Sequence, residues 1–276
     1  MIDRFVAKRL IDNYLEEDIT WGDITTDLLI PTGTTSKGYV YAKEGGILAG
    51  IDVFDMVFKR IDDDISIEKN YKDGDRIKKG DVIAVICGDM NSLLKAERVA
   101  LNLLQRMSGI ATFTKRLTEK ISGTKAKITD TRKTMPGLRY FDKYAVTVGG
   151  GINHRYNLSD SILIKDNHIK AAGGITNALN ILNRNISHTM KIEIEVETIE
   201  QLNEVLKFGV DIIMLDNMTI DTMRTAVKII DGRAIVEASG NINEDNILDV
   251  AKTGVDVISM GAVTHSVKAL DISFDL

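Results

Sequence analysis

Side chains that can carry positive charge are concentrated between residues 130 and 168, although the whole chain has a formal net charge of -5. They lie beside turn-forming residues or at the ends of short apolar runs, rather than along a polar helix face. They are Arg132, Lys133, Arg139, Lys143, His154, Arg155, Lys165 and His168. Guanidinium and ammonium groups bind carboxylates and phosphates through charged hydrogen bonds. The segment therefore predicts a pocket for a small ligand with several negative charges; the alternative is a set of surface cations on loops.

Carboxylates supply a second kind of chemistry. Glu193, Glu195 and Glu197 alternate along one predicted strand, so their side chains share a face, and burying all three without partners would be costly. Glu195 and Asp216 end neighbouring predicted strands and could meet over one ligand. Carboxylates in such a place suit developing positive charge, sugar hydroxyls or magnesium. The alternative is that Asp216-Asn217 simply caps the helix that follows.

Small residues follow two further predicted strands. Ser239-Gly240-Asn241 comes after one of them, and Gly261 comes after the next. Such strand ends let backbone N–H groups close on a phosphate, aided by a helix N-terminus, and the last two strands of TIM-type barrels often form a phosphate site. Ordinary turn chemistry is the alternative interpretation.

The elements that must position these groups follow a regular rhythm from residue 126 onward. Short apolar runs alternate with helical segments, which predicts parallel strands joined by helical crossovers. The predicted strands are 127–131, 162–165, 191–196, 211–215, 234–238 and 255–260, and the predicted helices are 138–148, 171–184, 198–208, 219–230 and 243–253. Polar or charged residues that could act in a site stand at the ends of several predicted strands, as in a barrel, where several strands contribute to the active site. An open doubly wound sheet instead has its site at one switch point. The pattern favours a barrel with fewer than eight strands.

The first hundred residues have a different character. After a helical start they contain β-type runs at 36–43, 65–69 and 81–87, separated by Gly and Asp turns, which predicts an antiparallel, sandwich-like region. A long helical pattern then runs from Leu93 to about Ile121. Gly109 is its weak point, because glycine disfavours helix interiors.

Composition limits the class of protein. Apolar residues make up 44% of the 276, and no run approaches the roughly 20 apolar residues of a membrane span or resembles a signal peptide. Cys87 is the single cysteine, so no intrachain disulfide is possible and a reducing, cytoplasmic setting is expected. The acidic balance argues against nucleic acid as a partner. His154 has no second histidine at ligand spacing, which disfavours zinc.

Nine short motifs follow one another along nearly the whole chain. They are Gly22-Asp23-Ile24-Thr25, Glu97-Arg98-x-Ala100-Leu101-Asn102, Asp130-Thr131-Arg132-Lys133-Thr134-x-Pro136-Gly137-x-Arg139, Gly150-Gly151-x-x-His154-Arg155, Lys165-Asp166-Asn167-His168, Glu193-x-Glu195, Leu215-Asp216-Asn217, Glu237-Ala238-Ser239-Gly240 and Gly261. Together they resemble the signature of the carboxylating nicotinate-nucleotide pyrophosphorylases, that is, the quinolinate phosphoribosyltransferases. The combination is specific, although any one motif alone would not be.

The resemblance implies an α/β fold of two domains. An N-terminal open α/β sandwich domain would span residues 1–104, and an incomplete, seven-stranded TIM-like β/α barrel would span residues 105–264. The tail, residues 265–276, would return to the first domain. The resemblance also implies a homodimer in which Arg98 reaches into the partner's site, with further assembly left open.

The activity implied by the resemblance is that of a pentosyltransferase of NAD biosynthesis. It transfers the phosphoribosyl group of phosphoribosyl pyrophosphate to quinolinate, with release of pyrophosphate and carbon dioxide, and makes nicotinate mononucleotide. Lys133, Lys165, Glu195 and Asp216 would be the catalytic residues. The implied contacts are Arg98, Arg132, His154 and Arg155 for the two carboxylates, Lys133 and Lys165 for the pyrophosphate and ribose side, Glu195 and Asp216 for ribose hydroxyls and Mg²⁺, and Ser239, Gly240, Asn241 and Gly261 for the 5-phosphate.

Three alternatives stay open at this stage. A paralogous family linked to molybdenum transport shares much of the pattern. Nicotinate phosphoribosyltransferase would use a related fold without decarboxylation. A non-catalytic protein that binds a phosphate ligand is the alternative from a different class; the doubled cations favour a dicarboxylate, and the Glu195 and Asp216 pair disfavours a binding module.

Overall fold

The computed structural model describes residues 2–276, and the chain divides into two compact units. The N-terminal unit contains the residues up to Lys115 together with Thr134–Gly150 and Val263–Leu276. The barrel unit contains Arg116–Lys133 and Gly151–Ala262. The predicted domain boundaries at residues 104 and 264 stay predictions. By its contacts, the helical segment after residue 134 groups with the N-terminal unit.

Eleven helices and twelve strands are present among residues 2–276. The helices are α1 (Arg4–Asp18), α2 (Ile24–Leu29), α3 (Ile51–Ile61), α4 (Met90–Lys120), α5 (Arg139–Val148), α6 (Asp166–Ala172), α7 (Ile175–Asn185), α8 (Ile199–Val205), α9 (Ile220–Ile230), α10 (Ile247–Ala251) and α11 (Ala262–His265). The strands are β1 (Thr35–Ala42), β2 (Gly46–Ile47), β3 (Ser66–Lys69), β4 (Arg76–Ile77), β5 (Val82–Asp89), β6 (Lys127–Thr129), β7 (Ile162–Ile164), β8 (Ile192–Val196), β9 (Ile212–Asp216), β10 (Ile235–Ser239), β11 (Val257–Ser259) and β12 (Ile272–Asp275). Within residues 2–276, no helix is long and apolar enough to cross a membrane.

The N-terminal unit is built on an antiparallel sheet with the strand order β12-β1-β5-β3. The C-terminal strand β12 pairs with β1, with Val40 opposite Phe274. Phe58 of α3 packs against Phe54 and Phe274, with ring centroids 5.0 and 6.1 Å apart. The antiparallel character agrees with the prediction, and the tail adds an edge strand to the sheet.

The barrel unit is built on a parallel sheet with the strand order β6-β11-β10-β9-β8-β7. All six predicted strands are present, with ends within two residues of the predicted ones. In place of a seventh strand, Ile152 makes a single parallel bridge to Thr129 beside β6. The ladder stops there because the next donor, the amide of His154, is bound at 3.0 Å by the Asp130 side chain instead of a backbone carbonyl.

Two predicted helices of the barrel unit are wrong in extent. The segment after β7 forms two helices, because Gly173 and Gly174, with φ of 80° and 120°, end α6 before α7 begins. The helix predicted from residue 243 begins only at Ile247. Asn243 accepts hydrogen bonds from the amides of Asp245 and Asn246, and such local side-chain bonds compete with helix formation.

Gly109 does not interrupt α4, which is continuous over 31 residues. A Cβ at this position would collide with the carbonyl oxygen of Lys268 and lie 3.1 Å from Cα of Ala269. Glycine is therefore required by the close approach of the C-terminal segment to the helix, not by any bend in the helix itself.

We predict that Gly109→Ala destabilises the protein although alanine favours helix. The propensity gain is about 0.5–1 kcal/mol, whereas forcing a methyl group into closed backbone contacts costs about 1–3 kcal/mol. Chemical denaturation should show a lower midpoint for Gly109→Ala. Asn102→Ala, at an exposed position of the same helix, is the control and should change the midpoint little. A midpoint for Gly109→Ala at or above the parent value would contradict the packing argument.

Candidate active site

Lys165, Glu195 and Asp216 line one cavity of about 400 Å³ in the barrel unit. Lys165 directly follows β7, and its Nζ lies 2.8 Å from Oε1 of Glu195 near the end of β8. Asp216 is the last residue of β9. The predicted meeting of the two carboxylates over one ligand site is therefore geometrically possible, because the parallel register brings their strand ends together.

The three alternating glutamates lie at different depths. Glu193 is buried, Glu195 is half-buried and Glu197 is exposed beyond the end of β8. Of the three carboxylates, only that of Glu193 is fully buried, so only this group bears the full desolvation cost. The negative charge of Glu195 is balanced by its ion pair with Lys165.

Asp216 does not cap α9. The N-cap is Thr219, whose side chain accepts the amide of Thr222 at 3.2 Å. Asp216 instead accepts a hydrogen bond of 2.6 Å from the side-chain amide of Asn217. The interpretation of Asp216 as a helix cap is therefore wrong, and its carboxylate belongs to the polar groups at the strand ends.

A chain of side-chain amides links the ends of β9 and β10. Asn217 Oδ1 accepts a hydrogen bond of 2.9 Å from Asn241 Nδ2, and the backbone N–H of Asn217 donates to the Ser239 carbonyl at 3.0 Å. Asn217, Gly240 and Asn241 all have positive φ, at 53°, 87° and 52°. A Cβ at Gly240 would lie 2.8 Å from the Asn217 backbone nitrogen. Gly240 is therefore needed for the tight approach of these two strand ends.

Two arginines lie close enough to influence each other. Burial first, and then the neighbouring Arg132, lower the pKa of Arg155 below its usual value. Arg155 donates from Nη1 to the Ser161 carbonyl at 3.0 Å. Like charges held together at a partly buried place favour a ligand with more than one negative group.

His154 lies over two buried glutamates that sequence reasoning did not assign. Its Nε2 is 3.2 Å from Glu193 and 3.6 Å from Glu237, and all three side chains are at most 10% exposed. Burial first, and then the Glu193 carboxylate, raise the pKa of Glu237 to about 7. Glu237 stands two residues before Ser239 on β10, so the two side chains lie on the same face of the strand. This spacing was the signal in the sequence that could have identified Glu237 as a site residue.

The remaining predicted residues divide between the two units. Lys133 and Gly261 lie in the barrel unit, whereas Arg98, Arg139 and Lys143 lie in the N-terminal unit. Arg98 is on α4 with its side chain 59% exposed, and its guanidinium is 3.5 Å from Glu97. Lys143 is buried within its unit, so it is no part of an exposed cation cluster.

His168 has a local structural role. Its Nδ1 accepts the Lys165 amide at 3.0 Å and so satisfies a backbone donor where α6 begins. This residue orients the chain that carries Lys165 and need not contact a ligand.

Fold and site together define a class: a β/α protein with cationic and acidic side chains at the carboxyl ends of parallel strands, where barrels of this kind place their active sites. The chain matches the family models of two protein domains. Residues 23–108 match the N-terminal domain of quinolinate phosphoribosyl transferase, and residues 110–275 match its C-terminal domain. The chain belongs to the quinolinate phosphoribosyl transferase family.

Individual relatives are similar over nearly their whole length. A probable nicotinate-nucleotide pyrophosphorylase (carboxylating) of Bacillus subtilis (strain 168) is 44% identical over 269 residues, which cover 98% of this chain and 93% of the relative. A protein of the same name from Methanocaldococcus jannaschii is 44% identical over 279 residues, covering 98% and 97%. The crystal structure of NadC from Streptococcus pyogenes superposes with a TM-score of 0.96 at 41% identity, covering 100% of this chain and 98% of that one.

We predict that Glu237→Gln stabilises the protein more at pH 8 than at pH 5. The folded-state pKa of Glu237, about 7, exceeds its ordinary value of 4.5. The folded protein therefore binds this proton more tightly than the unfolded chain, so stability falls as pH rises from about 4.5 through 7. A neutral isostere removes that fall.

Thermal unfolding at both pH values measures the effect. The Tm of Glu237→Gln relative to the parent should increase from pH 5 to pH 8. Glu197→Gln, at an exposed position, serves as the control and should show no such trend. An equal Tm difference for Glu237→Gln at the two pH values would argue against a raised pKa.

Proposed function

We propose that this protein transfers the phosphoribosyl group of phosphoribosyl pyrophosphate to quinolinate and decarboxylates the product, giving nicotinate mononucleotide, pyrophosphate and carbon dioxide for NAD synthesis. The observation that carries the proposal is the convergence of Lys165, Glu195 and Asp216 on one cavity in a chain that matches the family over both domains. The activity is that of a pentosyltransferase.

The first step forms the bond between the quinolinate ring nitrogen and C1 of the ribose. The bond from C1 to the pyrophosphate oxygen breaks, and pyrophosphate leaves with the electron pair. Positive charge develops on the sugar in between, and the carboxylates of Glu195 and Asp216 stabilise it. Lys165, already 2.8 Å from Glu195, and Lys133 face the leaving anion.

The second step removes the carboxylate next to the ring nitrogen. That nitrogen is cationic once it is bonded to ribose, so it stabilises the electron pair that remains on the ring carbon when carbon dioxide leaves. A proton then completes the product. Arg132 and Arg155 hold the carboxylates, and His154, whose two ring nitrogens contact the Arg155 amide and Glu193, places Arg155 for this role. Placement and electrostatics therefore contribute more than a strong base.

The 5-phosphate is assigned to the ends of β10 and β11. Ser239, Gly240, Asn241 and Gly261 offer backbone and side-chain donors there. The positive φ values of Gly240 and Asn241 turn the chain sharply at this place, as suits an anion-binding loop. The short helix α10 begins six residues after Asn241, so the loop rather than a helix N-terminus would make the contacts.

Magnesium fits the carboxylates of this cavity. Glu195 and Asp216 are half-buried oxygen donors on one cavity wall, and magnesium prefers one or two carboxylates together with substrate phosphates. Bound there with the pyrophosphate, the ion would offset negative charge on the leaving group. The proposal therefore includes Mg²⁺ as the cofactor.

A homodimer completes the proposal. The exposed Arg98 would enter the site of the partner subunit and contact a quinolinate carboxylate, and dimers could assemble further. The setting would be the cytoplasm, where Cys87 stays reduced.

The direct test supplies purified protein, phosphoribosyl pyrophosphate, Mg²⁺ and quinolinate labelled in the ring-adjacent carboxylate. We expect labelled carbon dioxide and an equal amount of nicotinate mononucleotide. Nicotinate lacks the second carboxylate and leaves cations of the pocket unpaired, so we expect its turnover to be lower by about a hundredfold or more. Absence of labelled carbon dioxide would reject the function, and equal turnover of both acids would reject the dicarboxylate pocket.

We predict that two inactive variants restore each other. Arg98→Ala and Glu195→Ala should each fold and lose activity. If Arg98 serves the partner's site, refolding an equal mixture makes about half of the dimers mixed, each with one intact site of two, so about a quarter of native activity returns. Each variant refolded alone is the control. Mixed dimers that form, as shown by two affinity tags, but have no activity would assign Arg98 to its own subunit.

A further inference from the structure

The His154 ring is held by the protein on both of its nitrogens. The Arg155 backbone amide lies 2.7 Å from Nδ1. On the other side, Nε2 lies 3.3 Å from Oε1 and 3.2 Å from Oε2 of Glu193. The His154 amide also donates to Asp130 Oδ1 at 3.0 Å. Both the ring and its backbone therefore have defined partners.

Only one neutral tautomer satisfies both ring contacts. A backbone N–H can only donate, so Nδ1 must present its lone pair to the Arg155 amide. A carboxylate can only accept, so Nε2 must carry the proton. The opposite tautomer would set two N–H groups against each other and leave a bare lone pair facing the carboxylates. The hydrogen-bond geometry thus selects the ring with its proton on Nε2.

Burial makes this selection strong. Glu193 and Glu237 are 3% and 4% exposed, so solvent does not readily replace the acceptor at Nε2. Glu237 is the more distant of the two, at 3.6 Å from Nε2. A metal ion on this trio would need the Nε2 lone pair, which the selected tautomer uses for its proton. His154 and Glu193 are therefore better described as a hydrogen-bonded pair beside the buried Glu237.

We propose that Glu193 is a positioning residue: it holds His154 as a neutral ring with its proton on Nε2, and through that ring it holds the Arg155 peptide against the quinolinate carboxylates. The effect on catalysis rests on the function proposed above. Arg155 is fixed at two ends, by its amide on His154 and by its guanidinium on the Ser161 carbonyl at 3.0 Å. Loss of Glu193 would release the His154 ring and, with it, the contact between that ring and the Arg155 amide.

The primary experiment needs no activity. Nitrogen-15 NMR of histidine-labelled protein, without substrates, distinguishes the two neutral tautomers by which ring nitrogen carries the proton. The chain has four histidines, and His154→Gln serves only to assign the signal. We expect the parent protein to have the proton on Nε2. A proton on Nδ1 in the folded parent protein would overturn the proposal.

Two substitutions then test the role of Glu193. Glu193→Gln keeps an oxygen acceptor and should keep the tautomer, with a Michaelis constant for quinolinate within about threefold of the parent. Glu193→Leu removes the acceptor and should give mixed tautomers and raise the Michaelis constant for quinolinate about tenfold or more. The constant for phosphoribosyl pyrophosphate should stay nearly unchanged. Ile194→Val, the next residue on β8, controls for general loosening of the strand.

The outcomes separate the two claims. An unchanged tautomer and an unchanged quinolinate constant in Glu193→Leu would reject the positioning role. If Glu193→Leu does not fold, the parent tautomer and its retention in Glu193→Gln decide: a change of tautomer in Glu193→Gln rejects the proposal, and its retention supports it. A parent protein that releases no carbon dioxide from quinolinate would reject the function, while the tautomer in the unliganded protein still tests the hold on His154.

Discussion

The parallel register of β7 to β10 is the constraint on which the candidate site depends. Ile164 lies opposite Ile194, Val196 opposite Leu215, and Ser239 opposite Asp216. These pairings put the carboxyl ends of four strands at one edge, so residues more than seventy positions apart in sequence share one place. Along β8 the apolar residues Ile192, Ile194 and Val196 are buried. This burial fixes the register, because a slip of one residue would turn the glutamates to the face that these residues occupy.

Burial of charge is the price of this arrangement, and the fold limits it in two ways. Along β8 the exposure of the carboxylates increases from buried Glu193 to exposed Glu197. Only Glu193 is therefore fully shielded from water. Where two carboxylates are both buried, the raised pKa of Glu237 lets a proton offset one charge near neutral pH. In the proposed tautomer, the Nε2–H of His154 donates to Glu193, 3.3 Å away, and an N–H donor to a buried carboxylate is worth more than the same bond in water.

The strands and their polar ends were predictable from the sequence because β-branched runs and glycine or aspartate turns are local signals. Helix α3 was not predicted, and the reason is physical. Its N-cap, Gly50, has no capping side chain; Asp73, more than twenty residues away, accepts the amides of Gly50 and Ile51 at 2.8 and 2.9 Å. No local start signal was present in the sequence for this helix.

The same distinction separates the site residues that were predicted from those that were missed. Lys165, Glu195 and Asp216 stand at strand ends, where their positions alone suggested a role. The alternation of Glu237 with Ser239 was a local signal, but its role depends on polar neighbours on β8, on β11 and beside β6, and such long-range pairing has no counterpart in local spacing. Cavities, tautomers and pKa shifts arise from these pairings, so they become visible only once the register is known.

The ion pair of Lys165 and Glu195 finally bears on what the cavity selects. Lys165 is 47% exposed and Glu195 is 14% exposed, so the lysine can turn to an incoming anion at little expense, but the carboxylate it leaves behind is largely shielded from water. A ligand that brought only negative charge would leave Glu195 without compensation. A ligand that brings an anionic group together with hydroxyls, or with a bound cation, satisfies both partners at once. The self-paired site thereby discriminates against simple anions and favours a ligand in which negative charge and hydroxyl or cationic groups lie a few ångströms apart.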